Sequence, residues 1–150
     1  MSTAATETSV PTFEGARVAD VMTAGIVSCS AATALPTVAR MMRQHRIHAV
    51  VVFAPYSAGE RQPWAVVSDL DLMEAAAHGQ LDDPAAVFAE TPVVTVPPES
   101  PLSHAVELMA QRRTSHLLVV DSQSGHPLGV LSALDVAALL AARATWDETD

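Results

Sequence analysis

The chain has 150 residues and a mass of 15.7 kDa, enough for one ordinary domain and short for two independent ones. Hydrophobic residues make up 49% of it and charged residues 17%, so the chain can bury a core and is not a disordered protein. Its 8 basic and 17 acidic side chains give a formal net charge of −9, which argues against partners such as nucleic acid or an acidic membrane surface.

Two further features narrow the class of protein. A single cysteine, Cys29, excludes an internal disulfide. The first 15 residues have neither the basic nor the apolar region of a signal peptide. No apolar run approaches the roughly 20 residues of a membrane span. The sequence therefore predicts a cytoplasmic protein without a membrane partner.

In chain order, residues 1–16 are predicted to form a flexible segment, and residues 17–79 form a first unit of strands and helices. Its first helix is indicated by apolar residues at i, i+3, i+4 and i+7, and its strands by short runs rich in β-branched residues. The predicted elements are a strand at Ile26–Ser28, a helix from Leu35, strands at Ala49–Phe53 and Trp64–Val67, and a helix at Leu72–His78.

After a linker at 80–84, the same order of elements returns in a second unit at 85–144, which is followed by an acidic tail at 145–150. A shift of 67 residues aligns Val18–Phe53 with Ala85–Val120 without a gap. Each unit of about 60 residues is too small to bury its own sheet face, so the two units should pack on one another. The elements of the second unit are strands near Val93–Val96, at His116–Val120 and at Leu128–Leu131, and helices from Leu102 and at Val136–Ala144.

A Ser-x-x-Asp motif opens the last helix of each unit, with Ser68 and Asp71 in the first and Ser132 and Asp135 in the second. The free N–H groups and the dipole at a helix N-terminus favour a phosphate or a ribose oxygen there. An ionised aspartate only accepts hydrogen bonds, which fits the two donors of a ribose diol. The same motif is also a capping box, in which both side chains only satisfy the end of the helix. The residues alone leave both interpretations open.

The duplicated order of these motifs resembles a tandem pair of cystathionine-β-synthase (CBS) domains. The segments Arg17–Thr23 and Arg112–Asp121 resemble the opening and the middle strand of the family. Gly129-Val-Leu-Ser-Ala-Leu-Asp135 fits the family's Gly-apolar-x-Ser/Thr-x-x-Asp signature, whereas the first copy has Ala65 in place of the glycine. The resemblance implies an α/β (α+β) fold of two tandem β-α-β-β-α repeats packed about a pseudo-twofold axis.

The resemblance also implies a homodimer and two clefts between the repeats, which in many members bind adenosine-containing ligands. Each cleft would combine the Ser-x-x-Asp motif of one repeat with the opening and middle strands of the other. The implied residues are Ser68, Asp71, Val94, Thr114, Ser115 and His116 in one cleft, and Ser132, Asp135, Thr23, Val27, Ile47, His48 and Ala49 in the other.

An anionic ligand on so acidic a chain needs local cations. Arg46, Arg112 and Arg113 stand just before the middle strands and are candidates to bind phosphate. They could equally complement the C-terminal dipole of the preceding helices. The pair His45 and His48 is too small a ligand set for zinc, which needs three or four ligands, so no metal site is predicted.

The predicted function is a stand-alone regulatory module that senses an adenosine nucleotide and signals to a separate effector protein by conformational change. The possible ligands are AMP, ADP, ATP and S-adenosylmethionine, and no cofactor is required. The alternative is a ligand-free dimerisation or protein-interaction module, in which both Ser-x-x-Asp motifs only cap helices. An enzyme is not predicted, because the sequence holds no Gly-rich phosphate loop, nucleophile elbow or comparable catalytic motif.

Overall fold

Two similar runs of helices and strands follow one another along the chain in a computed structural model that describes residues 12–55, 61–89 and 93–148. The first half contains α1 (Val18–Val21), β1 (Thr23–Ala24), β2 (Ser28–Ser30), α2 (Leu35–His45), β3 (Ala49–Pro55), β4 (Arg61–Ser68) and α3 (Asp69–Ala77). The second half contains α4 (Ala85–Phe88), β5 (Thr95–Val96), α5 (Leu102–Arg112), β6 (His116–Val120), β7 (Pro127–Ser132) and α6 (Ala133–Glu148).

The helices α2 and α5 form where the sequence repeats its apolar spacing. Leu35 and Met42 are buried on α2, and the equivalent Leu102 and Met109 are buried on α5. Each of these stripes faces its own sheet, which covers the apolar side of the helix. The two helices predicted from the spacing are therefore confirmed.

Each half builds a mixed sheet with the same local order. In the first half β2 runs parallel to β3, and β3 runs antiparallel to β4. In the second half β5 runs parallel to β6, and β6 runs antiparallel to β7. This duplication confirms the predicted fold class of two tandem repeats. The sheet of the second half has a fourth strand, β1, which the sequence analysis did not predict.

The opening segment of each half packs into the other half. Strand β1 precedes β2 in the chain but pairs with β7, and Val18 of α1 is buried in the core of the second half. The amide of Val18 donates to the carbonyl of Ser100 at 2.9 Å. Reciprocally, Ala85 of α4 is buried in the core of the first half, and its amide donates to the carbonyl of Thr33 at 2.8 Å. The two halves are thus interlocked.

Several predicted boundaries differ from the structure or lie outside it. Helix α6 begins at Ala133 and continues to Glu148, beyond the predicted end at 144, because its alanine-rich sequence favours helix throughout. Residues 1–11 and 56–60 lie outside the described residues, while Ala16 is buried in the second core. Among the described residues, no helix has the length and apolar character that crossing a bilayer requires.

Gly129 on β7 permits the close approach of β1. A Cβ at this position would collide with the carbonyl oxygen of Thr23 and come within 3.2 Å of the Cα of Ala24. We expect Gly129→Ala to push β1 away and to lower the free energy of unfolding by about 1–3 kcal/mol, measured by urea denaturation. A change smaller than the error of the measurement would show that β1 can shift without cost.

Candidate functional site

The N-terminal ends of α3 and α6 are closed by reciprocal hydrogen bonds. The Asp71 amide donates to Ser68 Oγ at 3.2 Å, and the Ser68 amide donates to Asp71 Oδ2 at 2.8 Å. The Asp135 amide likewise donates to Ser132 Oγ at 3.0 Å, and the Ser132 amide donates to Asp135 Oδ2 at 2.9 Å. Both Ser-x-x-Asp motifs therefore form capping boxes, as one of the two interpretations of the sequence expects.

The second oxygen of Asp135 has a different neighbour. Thr23 Oγ1, which β1 carries to the edge of β7, lies 3.5 Å from Asp135 Oδ1. This distance makes the hydrogen bond long and weak for a hydroxyl donor. A bound hydroxyl could replace Thr23 as the donor while Oδ2 stays in the capping box. Among the described residues, the capping box thus leaves Oδ1 with only this long contact.

Asp135 lines a cleft of about 570 Å³, a volume typical of small-molecule sites. All seven residues predicted for the Asp135 cleft line it, so the structure brings together Ser132, Asp135, Thr23, Val27, Ile47, His48 and Ala49. The other lining residues are Ala24, Gly25, Ile26, His45, Arg46, His116, Val130 and Leu134. The cleft is therefore built from both halves of the chain.

Aliphatic side chains line part of the cleft, and backbone hydrogen bonds hold the segments that carry them. Val27 and Ile47 line it from the first half, where the carbonyl of Val27 accepts from the amide of Val51 at 3.0 Å. Val130 lines it from β7, opposite Thr23 in the strand register. An aromatic ring can be buried between such aliphatic side chains while strand hydrogen bonds hold the walls in place.

The charged side of the cleft lies where α2 ends. Arg46 is the C-cap of α2, with a left-handed φ of 55°, and within the described part of the chain it is the one arginine that lines the cleft. His48 Nδ1 forms a 2.9 Å hydrogen bond with Asp69 Oδ2, and both side chains are about half exposed. The arrangement places a permanent cation and an imidazole at one end of the cleft and the Asp135 carboxylate on its wall.

A sequence model described as "CBS domain" matches residues 18–78 and 86–142. The chain belongs to the CBS domain family. No curated protein matches the chain.

Solved structures of CBS pairs resemble the chain over most of its length. The CBS domain protein PAE2072 from Pyrobaculum aerophilum, complexed with AMP, has a TM-score of 0.70 and 30% identity, covering 87% of this chain and 99% of that one. The CBS domain pair of protein MJ0100, in complex with 5′-methylthioadenosine and S-adenosyl-L-methionine, has a TM-score of 0.73 and 16% identity, covering 85% and 98%.

A third similar structure contains metal. Hypoxic Response Protein I with two coordinated zinc ions has a TM-score of 0.62 and 17% identity, covering 82% of this chain and 98% of that one. Within residues 12–55, 61–89 and 93–148 of the present chain, no three or more His, Cys, Asp and Glu side chains come together as metal ligands. The likeness to this structure is therefore one of fold.

Three of the residues predicted for the other cleft of the CBS pair, Thr114, Ser115 and His116, lie at or just before the start of β6. Ser115 Oγ forms a 2.9 Å hydrogen bond with His116 Nδ1, and Thr114 Oγ1 donates to the carbonyl of His116 at 3.1 Å. His116 is buried and lines the Asp135 cleft, a position that the sequence analysis did not assign to it. Val94 packs against the core of the second CBS repeat.

One wall of that other cleft corresponds to residues that the structure does not describe. By the 67-residue shift, Thr23–Gly25 correspond to 90–92, which the structure does not describe. Arg112 lies in the last turn of α5 and Arg113 is its C-cap, with a φ of 53°; neither lines the Asp135 cleft. The ligand-binding roles assigned to Ser68, Asp71 and their neighbours stay predictions.

Two side chains with shifted pKa values lie outside the residues that line the cleft. Burial raises the pKa of the Cys29 thiol, against a smaller opposite effect of its hydrogen bond with Thr33. Hydrogen bonds from the Ser124 hydroxyl and amide lower the pKa of Asp121, which lies in the turn between β6 and β7. Cys29 is half-buried beside the first core, where it packs as a small hydrophobic side chain.

Proposed function

We propose that this CBS pair is a regulatory module that binds an adenosine-containing nucleotide in the Asp135 cleft. The observation that carries the proposal is that the two oxygens of Asp135 have different neighbours. Oδ2 accepts from the Ser132 amide in the cap of α6, and Oδ1 lies beside Thr23, which also lines the cleft. A ribose diol supplies the hydroxyl donors that an ionised carboxylate accepts. The AMP, 5′-methylthioadenosine and S-adenosyl-L-methionine in similar CBS pairs support an adenosine ligand.

The chemistry of the walls orients such a ligand. The purine ring lies between the aliphatic side chains of Val27, Ile47 and Val130, where its apolar faces lose contact with water. Its anionic tail points towards Arg46, the cation at the end of α2. A single phosphate suits one arginine better than three phosphates do, so AMP is the preferred member of the class.

The proposed signalling depends on the cleft being lined by residues from both repeats. Thr23 and Asp135 are brought together by the pairing of β1 with β7, whereas Ile47 and His48 come from the connection between α2 and β3. A ligand that contacts both repeats favours the arrangement in which both sets of contacts are made. The resulting change in the arrangement of the repeats is proposed to pass to a separate effector protein. The proposed role of the module is therefore regulatory rather than catalytic.

Isothermal titration calorimetry with AMP, ADP, ATP and S-adenosylmethionine tests the proposal. We expect saturable binding of at least one of them, with AMP the tightest. The absence of binding by all four at millimolar concentration would contradict an adenosine-sensing role and favour the ligand-free alternative.

Replacement of Arg46 by glycine tests the role of the cation. We expect Arg46→Gly to weaken AMP binding roughly 10- to 100-fold, the usual value of a charged hydrogen bond. Glycine also relieves the left-handed backbone at this C-cap, so the free energy of unfolding should stay the same or rise by up to about 1 kcal/mol. Calorimetry and urea denaturation measure the two effects.

The matched control is Arg113→Gly. Arg113 has the same left-handed backbone at the end of α5 but does not line the Asp135 cleft. It should show the same change in stability with unchanged AMP affinity. Equal affinities for both variants would indicate that Arg46 only complements the dipole of α2.

We also propose that the CBS pair is a homodimer, assembled through α3 and α6. Leu70 and Met73 on α3 are 66% and 69% exposed, and Leu134 and Leu140 on α6 are 58% and 46% exposed. By the 64-residue shift that aligns Ser68 with Ser132, Leu70 and Leu134 occupy equivalent positions. A surface repeated by internal symmetry can pair with itself in a second copy. If no nucleotide binds, this surface supports the ligand-free dimerisation module as the second candidate.

A further inference from the structure

The two capping boxes are alike, so the duplication alone predicts two equivalent nucleotide clefts. The Asp135 cleft, however, depends on a wall that the other half of the chain must supply. That wall is β1 with the turn that follows it. Three residues make its contact with β7 and α6: Thr23 and Gly25 belong to the wall, and Gly129 lies on β7, where β1 approaches it closely. Each position has an equivalent for the Asp71 cleft that can be compared by residue type.

Gly25 has a backbone conformation that its equivalent cannot adopt. Its φ is +93°, and its amide donates to the carbonyl of Leu128 at 2.9 Å, which ties the turn to β7. The residue 67 positions later is Pro92. Proline has φ fixed near about −65° and no amide hydrogen, so it can reproduce neither the turn nor the bond.

Gly129 is replaced by a residue that has a Cβ. A methyl group on Gly129 would strike the carbonyl oxygen of Thr23. The equivalent residue on β4, 64 positions earlier, is Ala65, which is fully buried in the first core. A strand placed on β4 as β1 is placed on β7 would therefore collide with the Ala65 methyl group.

Thr23 supplies the hydroxyl beside Asp135 Oδ1. The residue 67 positions later is Glu90. An ionised glutamate cannot donate a hydrogen bond to a second carboxylate, and two carboxylates at hydrogen-bonding distance repel each other. Glu90 in place of Thr23 thus disfavours a second wall of this kind at the Asp71 cleft, for a chemical reason separate from those at the other two positions.

We infer that each chain binds one nucleotide, at the Asp135 cleft, and that the Ser68–Asp71 motif serves only to cap α3. The inference rests on the proposed function and goes beyond it by assigning unequal roles to two motifs that share the same reciprocal capping bonds. Gly129 and Gly25 are the residues that make the Asp135 cleft competent, because they allow β1 to reach β7.

Calorimetric titration of AMP into the full chain and into two matched variants tests the inference. Asp135→Asn and Asp71→Asn each keep an oxygen that can accept the capping bond, so both variants should fold. We expect one AMP per wild-type chain, and binding weakened roughly 10- to 100-fold in Asp135→Asn because a charged acceptor is lost. Asp71→Asn should retain one AMP per chain with unchanged affinity.

The alanine variants provide a second comparison. Asp135→Ala and Asp71→Ala each remove one capping box, so both should be destabilised to a similar extent in thermal unfolding while only Asp135→Ala loses AMP binding. Two AMP molecules per wild-type chain, one of them lost in Asp135→Asn and the other in Asp71→Asn, would overturn the inference and leave the proposed function intact. Loss of AMP binding in Asp71→Asn with unchanged binding in Asp135→Asn would overturn both. If AMP, ADP, ATP and S-adenosylmethionine all fail to bind the wild-type chain, the proposed function fails and the inference with it.

Discussion

Replacing Leu102 by alanine is expected to lower the free energy of unfolding by about 2–5 kcal/mol. Leu102 is fully buried at the start of α5 and packs in the core of the second repeat with Val18 and Leu131. The close packing of the core leaves a cavity that neighbouring side chains fill only in part. The equivalent Leu35 is fully buried in the first core, and Leu35→Ala should cost a similar amount.

Because the opening segments of the two halves are interlocked, each variant should also destabilise the other core. Val18 belongs to the first half of the chain but to the second core, and Ala85 belongs to the second half but to the first core. Unfolding of either core therefore removes part of the other. We expect either variant to lower the exchange free energies of the slowest amides in β3 and in β6 by the same amount in native-state hydrogen exchange.

A surface leucine provides the control for this experiment. Leu81 lies between the repeats and is 44% exposed, so Leu81→Ala should change the exchange free energies much less. If Leu35→Ala changes exchange only in β3 and leaves β6 as in the wild type, the repeats unfold independently. The packing of each opening segment into the other core would then not couple the stabilities of the two repeats.

The second large effect is expected at the exposed face of α3. A variant with Leu70→Asp and Met73→Asp should convert the proposed dimer into monomers, with dimer affinity lowered roughly 100-fold or more. Both side chains are more than half exposed in the single chain. In a twofold interface each substitution occurs twice, so four apolar contacts become buried charges. Sedimentation velocity measures the outcome.

Val87→Asp is the matched control for charge at an apolar surface position. Val87 on α4 is 55% exposed and lies outside α3 and α6. This variant should sediment like the wild type. A wild-type chain that sediments as a monomer at high concentration, or an unchanged dimer in the Leu70 and Met73 variant, would contradict assembly through this face.

Much of the fold could be predicted from apolar spacing because the relevant interactions are local. The stripe from Leu35 to Met42 and its copy from Leu102 to Met109 give the packing helices α2 and α5 directly. Runs rich in valine and leucine likewise mark β3 and β6, the central strands of the two sheets. The repeat of these patterns in the same order was sufficient to predict the tandem architecture.

Strand β1 could not be predicted in this way. It has two residues, too few to show any alternation, and both are exposed. Its existence depends on pairing with β7 in the other half and on the missing side chain of Gly129. The family resemblance singled out this glycine, but only the structure relates it to the close approach of the Thr23 carbonyl.

Part of the candidate site could also be predicted from the sequence, through the family resemblance. The implied residues of the Asp135 cleft line one cavity in the structure, because the resemblance relates strands and helix ends that are distant in sequence. His116 was assigned to the other cleft, although its position at the start of β6, opposite Ser132, places it in this one. Leu134 was not predicted, since one apolar residue in the first turn of a helix carries no signal of a cleft.

Capping of α6 engages one oxygen of Asp135 in the capping box and does not exclude a ligand at the other. The sequence presents capping and ligand binding as alternatives, because it does not distinguish the two oxygens of a carboxylate. In the structure Asp135 Oδ2 is taken by the Ser132 amide, and Oδ1 lies beside Thr23 at the cleft. Capping restricts the rotamer of Asp135 and so holds Oδ1 beside Thr23, where we propose that it accepts hydrogen bonds from the ligand.

A crystal structure of the chain grown with saturating AMP tests this arrangement most directly. We expect the ribose hydroxyls to donate to Asp135 Oδ1, with the Ser132 amide still bonded to Oδ2 and the purine ring between Val27, Ile47 and Val130. AMP bound elsewhere on the chain, or an Asp135 cleft left empty under these conditions, would contradict nucleotide binding at this site.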